Sequence, residues 1–438
     1  MSPAAAPREL EGLRTDQAPP LAIPASFFLL APLAMIASGA LFLVVGPAAF
    51  ATRWAPSAMA ATHLGTLGFL GAVMLGALYQ MLPVVAGSPV PHVRLAHGVH
   101  ALLAAGVVVL AAAFVTGELA LFAAAPIVLA AAFLLFLVPV AVALARAPAR
   151  GPTVWGMRLA VTGLGGLVVF GSVMALARAG LVDIGGDWIG WVGAHAALGG
   201  VVWIGGLFTA VSWQVVPMFY LTPPVPRWSQ WATLGALALA LVVVPSVVAL
   251  GGGPLGVALG ASPALVMVFW VHPVVMLRAL HRRRRRRVDG SVRFWWAGLA
   301  AAPIVPVLAA GTLLGDDVRW APALGWWVVY AWAGMVAHGM LTRIVPFLVW
   351  FHRYARHVGL RPVPSMRALY PDGRIRLGLA LHASAVVAGA VAIATGWELA
   401  TQGTGVLLAA SGVVLVVNLI HTLRAPPVSA SEGPTDRS

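Results

Sequence analysis

Long apolar runs, broken by short clusters of Arg, Pro, Gly and acidic residues, fill the chain from about residue 24 to residue 423. Twelve runs stand out, at about 24–48, 59–86, 96–116, 119–145, 155–180, 188–218, 230–250, 254–280, 294–313, 321–350, 376–395 and 403–423. Each is long enough to cross about 30 Å of hydrocarbon as a helix. The boundary between the third and fourth rests only on Gly117 and Glu118. The pattern predicts an all-α integral membrane protein with twelve spans, numbered here in chain order.

One local pattern recurs. Gly76-Ala77-Leu78-Tyr79-Gln80-Met81-Leu82-Pro83 closes span 2, Val211-Ser212-Trp213-Gln214-Val215-Val216-Pro217 closes span 6, and Gly339-Met340-Leu341-Thr342-Arg343-Ile344-Val345-Pro346 lies late in span 10. Each copy places Gln or Arg three residues before the Pro. The prolines are 134 and 129 residues apart, about four spans. Such a period predicts three linked copies of one four-helix unit, at about 23–147, 153–281 and 293–423, within a membrane domain of 23–424. Weaker echoes agree. Spans 3 and 11 open with Arg94-Leu95 and Arg376-Leu377, each with a His six residues after the Arg, and end in Thr116-Gly117 and Thr395-Gly396. Span 4 has Val138-Pro139-Val140 where span 8 has His272-Pro273-Val274.

Composition strengthens the membrane reading: 61% of residues are apolar and only 9% charged, too few charges for a soluble chain of 438 residues. All 27 basic residues are Arg. With twelve spans both termini share a face, and that face collects 24 Arg; the other has only Arg53, Arg178 and Arg319. By the positive-inside rule both termini are expected in the cytoplasm. The same rule reads the run Arg282 to Arg287 as a topology anchor near anionic lipid heads rather than a nucleic-acid site. The polar tails, 1–22 and 425–438, are expected to be disordered, and the first shows no signal-peptide core. Absence of Cys excludes disulfides, thiolate metal sites and Cys-linked haem, but not haem held by His.

Histidine is the candidate chemistry. The spans offer almost no carboxylates for a proton relay; Glu118 and Glu398 sit at an interface. An imidazole in lipid needs a partner, commonly a metal. His63 precedes Pro83 by 20 residues and His195 precedes Pro217 by 22. At 1.5 Å per residue their depths differ by roughly 3 Å. They are therefore expected at one level in two copies of the repeat, where they could hold one haem iron from both sides. His338, eight residues before Pro346, lies mid-membrane and is a third candidate for metal or haem. His100, His272 and His382 form a further candidate cluster toward the terminus side. Glycines follow both outer histidines: Gly65, Gly68, Gly71 and Gly76, then Gly199, Gly200, Gly205 and Gly206. They suit close helix packing and equally leave room for a flat macrocycle.

With twelve spans, three four-helix units and a His at the outer end of span 2, the chain resembles the haem–copper oxidase subunit I superfamily. The stretch from His63 to Gly87 is similar to that family's second helix, where a haem-ligating His precedes a Gly-rich run ending near an aromatic-x-x-Pro. The family's tenth helix closes similarly, as at Pro346. The resemblance implies three pseudo-symmetric four-helix arcs, a b-type haem and an axial role for His63. The chain also departs from the family. Where the oxidases carry a His-x-His early in helix 10, it has Leu324, Gly325 and Trp326; residues 230–250 hold no His for copper; the helix 6 copper ligand with its cross-linked Tyr has no match beyond His195; and the acidic proton-channel residues are missing. It is in that respect similar to the divergent NnrS group, haem- and copper-binding membrane proteins linked to nitric oxide stress.

The resemblance therefore implies a haem-binding protein of the bacterial inner membrane. It would act in electron transfer or in binding or turnover of nitric oxide or oxygen, without a standard dinuclear centre or proton pumping; any enzyme activity would be oxidoreductase chemistry of the oxidase type. Copper remains open as a second metal. The expected partners are membrane lipid, a diatomic gas and an electron donor that sequence does not identify; self-association is compatible and nucleic acid is not expected. Two other readings stay open. One is a cofactor-free transporter with Gln80, Gln214 and Arg343 as a polar ring. The other is an assembly subunit of a respiratory complex.

Overall fold

The computed structural model describes residues 18–185, 187–284 and 288–427. Residues 1–17 and 428–438 of the expected tails, and Arg285 to Arg287 of the arginine run, lie outside the described residues. Every regular element among those described is helical. Twelve helices are long and apolar enough to cross a membrane, which makes this a multi-pass membrane protein. They are Ala22–Phe50, Pro56–Ala86, Val93–Thr116, Leu119–Arg146, Pro152–Arg178, Trp188–Tyr220, Arg227–Ala249, Pro254–His281, Gly290–Leu314, Trp320–Arg353, Asp372–Thr395 and Glu398–Leu423, spans 1 to 12. In hydrocarbon each backbone N–H and C=O must find its partner within its own segment, so helix is the available form. The weak boundary after span 3 is real. Gly117 ends the helix in the left-handed region at φ 75°, as Gly396 ends span 11 at φ 67°.

Burial divides the spans into two kinds. The most apolar windows of spans 2, 6 and 10 are 78, 61 and 78% buried; those of the other nine are 22 to 44% buried. The nine pack in the cyclic order 1, 3, 4, 5, 7, 8, 9, 11, 12 and back to 1, and spans 2, 6 and 10 fill the inside. Span 10 lies against both span 2 and span 6, whereas spans 2 and 6 scarcely touch.

The three inner spans share an internal register beyond their closing prolines. Each contains a π-helical stretch, Leu64–Gly71, Ala197–Gly205 and Trp327–Gly334. Each stretch ends on a glycine 12 residues before the proline: Gly71, Gly205 and Gly334. In the wide π turn the residue five positions back crowds this site. A Cβ would lie 3.0 Å from the Thr66 carbonyl oxygen at Gly71, 3.1 Å from that of Gly200 at Gly205, and 2.4 Å from that of Val329 at Gly334.

Seven residues before the proline, each inner span carries a small residue that meets the first helix of its own four-span segment. A Cβ at Gly76 would lie 2.9 Å from Phe27 Cβ, and one at Gly339 would lie 2.3 Å from Phe294 Cβ. In span 6 the roles reverse: Ala210 meets Gly156, where a Cβ would lie 2.3 Å from that of Ala210.

Two substitutions test this packing. Gly339→Ala drives a methyl into Phe294 and should lower stability by about 1–3 kcal/mol. Gly235→Ala, where nothing lies within 4 Å, should be neutral or stabilising. Thermal unfolding of the purified protein in detergent reads both.

Candidate functional site

Spans 2 and 6 bring His63 and His195 together at the end of the bundle opposite the termini. Their ring centres are 6.4 Å apart with planes inclined at 31°. His63 is the last residue before the π stretch of span 2, and His195 comes two residues before that of span 6. The middle stretch is one residue longer, which accounts for part of their unequal distances from the prolines.

Several neighbours fix the two rings. His63 Nδ1–H donates to the Met59 carbonyl at 2.8 Å, one turn back, so its Nε2 carries the lone pair. Phe114 of span 3 stacks on His63 at 5.0 Å. On the other side Gly171 of span 5 makes room for His195; a Cβ there would stand 2.9 Å from His195 Cε1. His195 lies beside the Leu167 carbonyl, and its buried Nδ1 has no hydrogen-bond partner.

This donor set discriminates between kinds of metal centre. Among the described residues no group of three or more His, Cys, Asp or Glu is placed to hold a metal ion. Two imidazoles do not complete the four-coordinate sites usual for zinc. They do suffice for a group that brings its own equatorial ligands, as haem does. A metal–imidazole bond is roughly 2.0–2.1 Å. Two rings ligating one ion from opposite sides stand two such bonds plus two ring radii apart, and 6.4 Å is of that size. The orphaned His195 nitrogen, the clearance at Gly171 and the sparse contact between spans 2 and 6 therefore fit such a group.

The position at the same offset from the proline in span 10 is filled. Trp326, 20 residues before Pro346 as His63 is before Pro83, packs against Phe42, Phe50 and Tyr330. Its indole N–H donates to the Val386 carbonyl at 3.1 Å, and Gly389 admits the ring, since a Cβ there would come within 2.2 Å.

The other candidate histidines go to separate places. His338 of span 10 meets His382 of span 11, with 3.1 Å between their Nδ1 atoms. His272 of span 8 is 2.9 Å from Ser212 Oγ of span 6. Ser212 already donates to the Thr209 carbonyl, so it accepts from His272 Nε2–H, and His272 Nδ1 is left buried without a partner. His100 of span 3 sets its ring edge-on to Phe27 of span 1. The three histidines expected as one further cluster are thus in three different contacts.

At the terminus side the motif polar residues also diverge. Arg343 pairs with Asp289 at 3.5 Å, both side chains about nine-tenths buried, and donates to the Phe219 carbonyl at 3.3 Å. Asp289 in turn accepts from Ser291 at 2.7 Å, and Ser291 accepts from Tyr220 at 3.0 Å. This network joins spans 6, 9 and 10. Gln80 is buried with its Oε1 unpartnered, and Gln214 is half-buried. Sequence alone missed Asp289, Phe114 and Gly171 because each is distant along the chain from the residue it serves. The glycine 12 residues before each proline was a usable signal for the shared π register.

No family model matches the chain, and no curated protein shows a significant match.

Breaking the buried ion pair should be expensive. Arg343→Met or Asp289→Asn alone should cost about 3–5 kcal/mol, because each leaves a buried charged or polar partner unmatched. With Asp289→Leu as the second single, the double variant Arg343→Met/Asp289→Leu should cost clearly less than the sum of Arg343→Met and Asp289→Leu, as read by thermal unfolding in a double-mutant cycle.

Proposed function

We propose that this protein is a divergent member of the haem–copper oxidase subunit I type that binds b-type haem between His63 and His195. Its twelve spans would form three pseudo-symmetric four-helix arcs, each contributing one inner helix. The shared π register, the small residue seven positions before each proline and the nine-around-three packing support that arrangement. The charge asymmetry supports a bacterial inner-membrane location with both termini in the cytoplasm. The activity would be electron transfer, or binding or turnover of nitric oxide or oxygen. Copper is a possible second metal in this reading, with no three-ligand group among the described residues to receive it.

The observation that carries the reading is the approach of His63 and His195 to 6.4 Å between ring centres, from two helices with little other contact. When bound, haem supplies one-electron chemistry and an iron that can take a diatomic gas if one axial position opens. The protein residues do the rest. The Met59 carbonyl fixes the His63 tautomer and ring direction and makes Nε2 the donor. His195, beside the Leu167 carbonyl, would supply the second imidazole. Phe114 stacks on His63, and Gly171 leaves the space that the His195 ring occupies.

The visible spectrum of detergent-purified protein, before and after dithionite, tests this directly. A Soret band that sharpens and shifts on reduction is expected. His63→Ala should lose most of the haem, and His195→Ala should shift it from low to high spin or lose it. A colourless protein from haem-supplied cells would overturn the proposal and favour a cofactor-free transporter. A spectrum unchanged in both variants would remove His63 and His195 from the site.

A further inference from the structure

A cavity of about 70 Å³ lies at the end of the bundle opposite the termini, between spans 1, 2 and 10, and the haem reading makes no use of it. Its volume is well above the roughly 10–15 Å³ that one water requires. It is far below the roughly 300–1,000 Å³ of a site for a drug-sized molecule. Any ligand it takes is therefore a small one.

Four lining residues carry polar side-chain groups: Arg53, Thr62, Trp326 and Tyr330. Two of these groups are already committed. The Thr62 hydroxyl donates to the Ala58 carbonyl at 2.8 Å, and the Trp326 N–H donates to the Val386 carbonyl at 3.1 Å. The other two are free to bind. Tyr330 is 3% exposed, and its hydroxyl is buried without a hydrogen-bond partner. That hydroxyl stands at the deep end of the cavity. It lies beside Ser38, one turn deeper than Phe42 of the wall, and a Cβ at Gly65, one turn deeper than Thr62, would stand 3.1 Å from it. Ser38 itself donates to the Ala34 carbonyl at 2.9 Å. Arg53, in the turn between spans 1 and 2, is partly exposed at the outer edge of the cavity. Its guanidinium lies over the Trp54 ring at 4.9 Å. The ion pairs among the described residues hold Arg319, Arg343 and Arg376 instead.

The electrostatics of the cavity have one sign. No carboxylate lines it. Spans 2 and 10 both start at its wall, with Ala58 and Ala321 in their first turns, so the positive ends of two helix dipoles meet there. Both uncommitted side-chain groups can donate, and one of them is a cation. We propose that this cavity binds a small carboxylate or oxyanion. Arg53 holds the anion at the outer edge, and the Tyr330 hydroxyl donates to it from the deep end and so gains the partner it lacks. A planar anion with two oxygens matches the fork of a guanidinium. Phe42, Phe50 and Trp326 complete an apolar wall, in which such charge-assisted hydrogen bonds are stronger than in water. The ligand enters from the side opposite the termini, and the site stands independently of haem.

Acetate and acetamide, which share a shape and differ in charge, are the probes. Saturation-transfer NMR of the detergent-purified protein should show saturable binding of acetate at neutral pH and little of acetamide. R53Q and Y330F should each weaken acetate binding by roughly tenfold or more, because each removes a hydrogen bond to a charged group. R178Q, on the same side of the bundle but outside the cavity, should leave it unchanged. A58L, which narrows the cavity and removes neither donor, should also abolish binding and serves if either of the first two variants fails to fold. No saturable acetate signal, equal binding of acetamide, or an affinity unaffected by both R53Q and Y330F would overturn the site. A colourless protein that still binds acetate through Arg53 and Tyr330 would overturn the haem reading and leave the anion site standing.

Discussion

Three helices enclosed on nearly all sides, in a solvent as apolar as their own side chains, cannot be held by a hydrophobic driving force between helices. They must be held by close contact, and close contact requires small residues. The rest of the structure depends on this constraint. It explains why Gly76 and Gly339 lie where Phe27 and Phe294 approach, and why Ala210 needs Gly156 opposite it. Two of the glycines that end π stretches follow it too: a Cβ would lie 2.8 Å from Val268 Cγ1 at Gly205 and 3.0 Å from Phe69 Cε1 at Gly334. A packing rule satisfied at a shared offset in three helices is what makes the inner trio alike.

The π stretches have a second consequence. A wide turn places the residues before it at a different angle from the one a continuous α-helix would give. In spans 2 and 6 this change begins just after the histidines and accompanies their approach to 6.4 Å. In span 10 the same change begins after Trp326, and there the indole fills the position and ties span 10 to span 11 through Val386. One backbone device thus accompanies a close histidine pair in spans 2 and 6 and a helix-to-helix tie in span 10.

Polar groups within the spans follow the cost of burial. His382 is anchored on the Tyr330 carbonyl, His63 on that of Met59, and Arg343 is matched by Asp289 and the Phe219 carbonyl. The few that remain without partners, among them His195 Nδ1, His272 Nδ1 and Gln80 Oε1, mark where a missing partner would be most favourable. His195 is the one of these that also faces a second histidine across two spans.

Sequence by itself determined the number of spans, their near-exact extents and the shared offset of Gln or Arg from proline in spans 2, 6 and 10. Hydrophobic length and a fixed offset from proline are local properties, and the bilayer enforces the first. The levels of His63 and His195 were legible for the same reason, because rise per residue is fixed in a helix. Which side chains meet across spans was not legible. That His338 finds His382, that Arg343 finds Asp289 rather than Gln80 and Gln214, and that His100, His272 and His382 part company depend on the azimuth of each helix and on its neighbours. Azimuth follows from π turns, proline positions and the fit of small against large residues over many contacts. Those quantities exist only once the helices are packed, so only the tertiary structure could decide them.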